Sequence, residues 1–526
     1  MSTCSESSPA ECDGVDTLSS KENNTYTELG RIGGDTTDPF CFTPLVLPAP
    51  GAVRTEMPVQ VVPSGGRCHK AAVCLKFIVV GGSIGGLATA YTLRKAGHDV
   101  LVIEKSEALV KSQGGLRSPP NMTRILNQWG LGPALDQMAN KCDTFTLLNG
   151  GSGELIGNMT MNESFLSNLL ADFLFIQHSD LQSLLYDLAV QEGVTFRFNT
   201  KVIGADSETV SVSLESGETL SADVVVGADG YDSLVRGVVT GKKDEGKGER
   251  HLIATCTIPA SLLEADDDLR HLRSSTVWSL WLGDGYAFHG NLTAGGQDFT
   301  MAVIYHYDLP IREGDEEWQH TCPIDRYKLD ITKFEPRSQK LLKLARTVSS
   351  RIFTIRSPVE GVVCGRARIV LVGEAAHPLP PGGHHSTGLS IEDAQTLGCL
   401  FGRIRHRSQV PQLLGAYEDI RQARCSATHI WEREHQQMLM CPAGPHQDER
   451  DKMLRKVMEY GDWRQMDETT FKAVWGNELT LYAHDATEQV DDWWSQWGKI
   501  FERGLYCDTP ANLEVSISKD DESKLL

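Results

Sequence analysis

Residues 76–105, KFIVVGGSIGGLATAYTLRKAGHDVLVIEK, constrain this chain more than any other stretch. Phe77 to Val80 form an apolar run suited to a buried parallel strand; Ile84, Leu87, Ala88 and Tyr91 recur at helical spacing, and Val100 to Ile103 return to strand character. A helix that opens directly after such a turn leaves its first N–H groups without intrahelical partners. Its positive dipole end then favours a phosphate at the turn. Gly81, Gly85 and Gly86 allow a ligand to approach the backbone, and Glu104 ends the second strand about 20 residues on, where an acid meets a ribose hydroxyl. Ser83 replaces the middle glycine of G-x-G-x-x-G, so a ligand-free glycine turn is the alternative reading of this motif.

With 526 residues, 40% of them hydrophobic, the chain has enough apolar material for a large core and two or three structural regions. A formal charge of −20 argues against nucleic acid or an anionic membrane surface as partner. The thirteen cysteines, scattered from Cys4 to Cys507 without C-x-x-C pairs, read as reduced thiols, which makes the cytosol the expected compartment. Neither end carries an apolar run long enough for a membrane span, and no metal motif stands out.

Residues 1–72 are rich in Ser, Thr, Glu, Gly and Pro and are expected to be a disordered extension. Next comes SQGGLRSPPNMTRILNQWGL at 112–131, where Gly114 and Gly115 precede a proline pair and a helix carrying Arg124, a residue that either reaches a phosphate or ring or is an ordinary solvated side chain. His178 stands just before a helix for which Ser179 and Gln182 read as a capping box. The strand Val224-Val225-Val226 runs into GADGYDSLVRG, making Asp229 and Gly230 candidates for a ligand edge, with a plain Asp-Gly turn as the alternative and Arg236 available for a carboxylate or phosphate. Residues 251–360 alternate as an antiparallel sheet does, around Trp278, Leu280 and Leu282 and a turn at Gly283-Asp284-Gly285; its aromatic residues could roof a pocket. Ile369 to Val372 then form a second parallel-type strand opening into GEAAHPLPPGGHHSTGLSIEDAQTLG, with Glu374 directly after it and Ser386 or Thr387 placed to cap a helix. Residues 431–526 read as helices that form packing layers or an oligomer surface, followed by a polar tail.

The glycine loop at 81–86, GADGYDSLVR at 227–236 and LVGEAAHPLPP at 371–381, in that order, resemble the group A flavoprotein monooxygenases, the fold of para-hydroxybenzoate and salicylate hydroxylases. The resemblance spans about residues 74 to 430. It implies an α/β fold: a Rossmann-like FAD-binding domain (73–250 and 361–430) with an inserted antiparallel-sheet substrate domain and C-terminal helices. It also implies FAD as cofactor, NAD(P)H as co-substrate without a site of its own, and O2 activated as a flavin hydroperoxide that hydroxylates a phenolic or polyketide-like molecule, as in fungal tailoring enzymes. By the same similarity Glu104 is the ribose ligand, Gly114 or Gly115 a loop contact, Arg124 the arginine of the P-N-x-x-R helix, and Asp229, Gly230, Ser386 and Thr387 line the cofactor. Glu374 stands where the family has aspartate, His178 where many members have arginine, and His384-His385-Ser386 where Gly-Gln-Gly is usual. His384 and His385 either contact substrate and assist phenol deprotonation or serve only the loop. A dehydrogenase or reductase, and a non-catalytic protein on the same fold, are the alternatives.

Overall fold

The computed structural model describes residues 69–498, apart from 111–113, 243–247, 461–462 and the single positions 275, 313, 316, 317 and 328. The proposed disordered extension therefore lies almost wholly outside the described residues, as does the tail beyond 498.

A five-stranded parallel sheet carries the nucleotide-grip stretch. Its strands run in the order Ile369–Leu371, Val224–Gly227, Lys76–Val80, Asp99–Ile103 and Thr195–Arg197. Val79, Val102, Val225, Val226 and Val370 have no solvent exposure, as expected of strands covered on both faces, which need continuous β-branched runs rather than alternation. The helix Ile84–Lys95 packs on this sheet and against the helix Ser386–Phe401. That approach is close because Gly398 has no side chain: a Cβ there would lie 2.6 Å from Cβ of Thr92, whose hydroxyl donates to the Ala394 carbonyl at 2.7 Å.

The second layer is an eight-stranded sheet, mostly antiparallel. It is larger than the 251–360 alternation predicts, because Thr144–Asn149 and Leu155–Thr160 join it, the former pairing in parallel with Val277–Gly283. The two-residue turn at Asp284-Gly285 joins Val277–Gly283 to Tyr286–Thr293, with Gly285 at φ +73° where other residues are strained. Gly115–Ser118, Phe173–Gln177 and Asn140–Cys142 form a small antiparallel sheet, in that order. No helix among the described residues is long and apolar enough to cross a membrane.

Two capping expectations fail. The helix His178–Gln191 begins at Gln177 without a side-chain cap, so Ser179 and Gln182 form no capping box; Ser179 is already inside the helix. Likewise His385, at φ −103° and ψ −15°, is the N-cap of the 386–401 helix with no side-chain hydrogen bond, and Ser386 and Thr387 are its first helical residues. A side-chain cap needs extended backbone at the capping residue, whereas Ser179, Ser386 and Thr387 are all helical.

Candidate active site

The three acids singled out in the sequence follow three strands of one sheet and leave it at the same, carboxyl edge: Glu104 after Asp99–Ile103, Asp229 after Val224–Gly227, Glu374 after Ile369–Leu371. The glycine loop lies at their centre. Gly81 has φ +108°, and a Cβ there would meet the Ala228 carbonyl oxygen at 2.3 Å; a Cβ on Gly86 would meet the Gly81 oxygen at 2.0 Å. Gly85 faces Gly373, whose Cα lies 3.6 Å from the position a Cβ would take. Glu104 accepts the N–H of Gly82 at 2.7 Å and that of Ser106 at 2.9 Å, which orients its carboxylate beside the loop. Ser83, the N-cap of the first helix, makes no side-chain cap, and neither does His385 at the second. Both helix starts therefore keep the N–H groups of their first turn available to an anionic group.

Around this centre the remaining candidates divide. Gly114, at φ +116°, has its carbonyl bonded by the His178 N–H at 3.0 Å, and side chains at Gly114 and Gly115 would press on Thr255, Thr293 and Thr300 of the large sheet. Nδ1 of His178 has no hydrogen-bond partner among the described residues, and burial lowers the imidazole to about 4, so it is neutral. Glu374 is open to solvent on one side yet crowded by protein on the others; the resulting desolvation raises its carboxyl above the usual range against the pull of Arg351 and His377. Asp229 is engaged differently from the expectation: its oxygens accept from Ser233 Oγ and, at 3.1 Å, from the Val235 N–H, holding the start of the helix Leu234–Thr240. Gly230, at φ +82° with open space around it, makes the turn.

Neither arginine points a free fork at the cleft. Arg124 donates to the carbonyls of Leu169, Tyr482, Ala483 and His484, at 2.7 to 3.1 Å, and so ties its helix to the end of the helix Glu468–Ala483. Arg236 donates to the carbonyls of Glu374 at 3.2 Å, Ala375 at 3.1 Å and Tyr231, and thereby joins the Asp229 turn to the Glu374 turn. A guanidinium matches carboxylate or phosphate well, but in these two places unpaired carbonyls at helix and strand ends are the nearer acceptors.

His384 and His385 are buried under the C-terminal helices, which are more than a packing layer. Trp278 from the large sheet and Trp431 from the helix Val410–Leu439 stand edge-on to the His384 ring, with centroids 5.6 and 5.4 Å away. The Tyr482 hydroxyl is 3.1 Å from His384 Nε2, whereas neither ring nitrogen of His385 has a partner among the described residues. Burial holds both imidazoles well below their usual range, hence neutral. Glu432, a residue the sequence did not single out, accepts both backbone N–H groups of His384 and His385 at 2.9 Å, and desolvation raises it to about 7. Arg117 lies over the Trp278 face at 4.7 Å and 2.6 Å from Nδ1 of His289, with burial lowering it to about 10. The Arg117 guanidinium is thus a buried cation packed against an aromatic and imidazole cluster.

Glu432 has a measurable consequence. Its carboxyl is protonated in the folded chain up to about pH 7 but titrates from 4.5 when unfolded, so the folded state binds the extra proton between those values. Stability is therefore expected to fall as pH rises from 4.5 to 7, by up to ~3 kcal/mol. Denaturant melts across that window should show the slope, and Glu432→Gln should flatten it; an equal slope in the variant would assign the effect to another group.

A family model described as an FAD binding domain matches residues 75–431. Among curated proteins, 3-hydroxybenzoate 6-hydroxylase of Klebsiella oxytoca is 26% identical over 364 residues, covering 68% of this chain and 87% of the relative. The FAD-dependent monooxygenase OpS4 of Beauveria bassiana is 26% identical over 431 residues, covering 79% and 96%. Of solved structures, a salicylate hydroxylase substrate complex superposes with TM-score 0.62 at 19% identity over 80% of this chain and 97% of that one. The cradle left by Gly81 and Gly86, the two uncapped helix starts and the orphaned nitrogens of His178 and His385 fit a long anionic cofactor with a polar ring system. On the family match and the shared fold, this chain belongs to the FAD-binding-domain family of FAD-dependent monooxygenases and takes FAD as its cofactor.

Proposed function

We propose that this FAD-dependent monooxygenase hydroxylates a phenolic or polyketide-like small molecule, drawing electrons from NAD(P)H and one oxygen atom from O2, in secondary metabolism. The observation that carries this reading is the cluster of Trp278, Trp431, His384, His385, Tyr482 and Arg117, built beside the helix start at His385. Relatives are named 3-hydroxybenzoate 6-hydroxylase and hispidin-3-hydroxylase, and OpS4 comes from Beauveria bassiana.

FAD, when bound, supplies the redox chemistry with oxygen. The chain's own residues do the rest. The Gly81–Gly86 turn with its helix start would hold the pyrophosphate and Glu104 the ribose; Gly114, Gly115, His178, Asp229, Gly230, Glu374, Ser386 and Thr387 would line the cofactor, while Arg124 acts by positioning. Arg117 favours an anionic or electron-rich ring, and a phenolate is the more reactive form toward hydroxylation. Proton transfer is better assigned to Glu432 than to His384 or His385: an imidazole held well below its range is a weak base, whereas a carboxyl at about 7 is poised near working pH. The two histidines then act as neutral hydrogen-bonding walls.

The test is oxygen and NAD(P)H consumption by the purified yellow protein against a panel of phenols, with product mass read out. The expected result is substrate-stimulated turnover with one oxygen added, and a kcat/KM limb near pH 7 that Glu432→Gln removes. NAD(P)H oxidation without oxygen uptake would replace the reading with a reductase; a colourless protein that binds no FAD would replace it with a non-catalytic role.

A further inference from the structure

Glu249, His251 and His306 converge outside the cluster just described. His251 and His306 are directly opposed on the antiparallel strands Arg250–Pro259 and Asp298–His306, and Glu249 immediately precedes the first of these. Antiparallel pairing places side chains of opposed residues on one face, which brings the two imidazoles together. Glu249 Oε1 lies 2.9 Å from Nε2 of His251 and 2.9 Å from Nδ1 of His306, and those two nitrogens are 3.1 Å apart. The donor atoms therefore form a nearly equilateral triangle.

Hydrogen bonds alone do not satisfy that triangle. Gln436 fixes the first tautomer: its amide nitrogen donates to the Pro381 carbonyl at 2.6 Å, so its oxygen faces His251 Nδ1 at 2.9 Å and that nitrogen carries the proton. Neutral His251 then presents an Nε2 lone pair to the carboxylate oxygen of Glu249. A proton on His306 Nδ1 relieves only one edge at a time. If both inner nitrogens are protonated, two N–H groups crowd one oxygen 3.1 Å from each other. In every pattern one edge of the triangle sets like charge against like.

We propose that Glu249, His251 and His306 bind one divalent transition-metal ion of the zinc class. Imidazole nitrogen and carboxylate oxygen are the ligands such an ion takes, at ~2.0–2.2 Å, and a point ~2.1 Å from all three atoms exists about 1.2 Å outside their plane. One cation there offsets that repulsive edge with three attractive ligand–metal contacts. His251 already has the outer partner a ligating histidine requires, its Nδ1–H donating to Gln436. The side chains of Glu249 and His306 are 38% and 37% exposed, which gives the ion an entry path and leaves its remaining positions to water. Through Gln436 the ion would tie the strand ends of the large sheet to Pro381, in the loop that leads to His384 and His385. It is placed to clasp that loop rather than to touch substrate.

The test uses the full chain with any affinity tag removed, stripped by chelator and dialysed. Zn(II) content by elemental analysis, Co(II) absorption and the thermal midpoint with and without Zn(II) are the readouts, in wild type, Glu249→Gln, His306→Ala and Gln436→Leu. One ion per chain, a higher midpoint with zinc, near loss of binding in the first two variants and a ~10–100-fold weaker affinity in the third are expected. Glu249 and His306 are partly exposed, so Glu249→Gln keeps the question answerable should His306→Ala fold poorly. Failure of the wild-type chain to take up zinc or cobalt at equimolar micromolar concentration would overturn the proposal. So would undiminished uptake by both ligand variants, which would put the ion on other histidines.

Discussion

Gly86→Ala is expected to yield a protein that purifies with little or no flavin. The added methyl would sit 2.0 Å from the Gly81 carbonyl oxygen and 3.3 Å from Cβ of Ala228. Neither neighbour has room to give. Gly81 is already held at φ +108° against the Ala228 backbone, and its N–H is bonded to the Ile103 carbonyl at 2.9 Å. Overpacking of this kind costs about 1–3 kcal/mol, and here the strain falls on the turn that faces the pyrophosphate. At about 1.4 kcal/mol per decade, affinity for FAD should drop by roughly tenfold to a hundredfold. The flavin-to-protein ratio after gel filtration, with titration of the stripped protein by flavin fluorescence, reads this directly. Gly415→Ala is the matched control: nothing lies within 4 Å of its Cβ position in the Val410–Leu439 helix, so it should keep full flavin and gain up to ~1 kcal/mol of stability. Normal occupancy in Gly86→Ala would mean that the phosphates bind away from this turn.

The parallel sheet is legible from the sequence because four of its strands are covered on both faces and so read as apolar runs leading to glycine or acid, whereas the edge strand Thr195–Arg197, only partly buried, carries no such run. The larger sheet is legible only in part. Val277–Gly283 is buried along almost its whole length, which blurs the alternation, and its parallel partner Thr144–Asn149 comes from a distant part of the chain that no local period can connect to it. The same limit governs the site. Glu432 sits in WEREHQQM, which reads as a solvated helix face; what makes it functional is that the loop at 384–385 returns over it, a tertiary fact. Gly383 is the one local trace of that contact, since a Cβ there would lie 2.1 Å from the Glu432 carboxylate, and a second glycine after Pro-Pro reads equally well as a turn. Arg124 and Arg236 show the converse. Their motif positions are legible, but the acceptors they meet are carbonyls supplied by segments far along the chain.

Arg421→Met should be the most destabilising single change that leaves the cofactor edge itself untouched. Arg421 is 1% exposed; its Nε lies 2.7 Å from Asp393 and its Nη1 2.7 Å from Glu392, both acids having no solvent exposure in the middle of the 386–401 helix. Burial alone would drive these two carboxyls up. The guanidiniums of Arg424 and Arg421 around Glu392, and the Arg421 guanidinium with the hydrogen bonds from Gly373 and His377 around Asp393, outweigh it and keep both ionised. Without Arg421 the acids are left only partly compensated in a medium that cannot solvate them, a loss that typically amounts to about 3–5 kcal/mol. The effect extends to the site, because Asp393 also accepts the Gly373 N–H at 2.8 Å and His377 Nε2 lies 2.8 Å from the same oxygen. Those contacts hold the turn that presents Glu374. Denaturant unfolding should therefore show a midpoint well below wild type, together with weakened FAD affinity. Adding Glu392→Gln and Asp393→Asn to Arg421→Met removes the buried charges along with their partner and should recover much of the stability. The flavin affinity should recover less, since a neutral amide holds the Gly373 N–H more weakly than a carboxylate does. Equal recovery of both would show that the network stabilises the helix pair without orienting the cofactor edge.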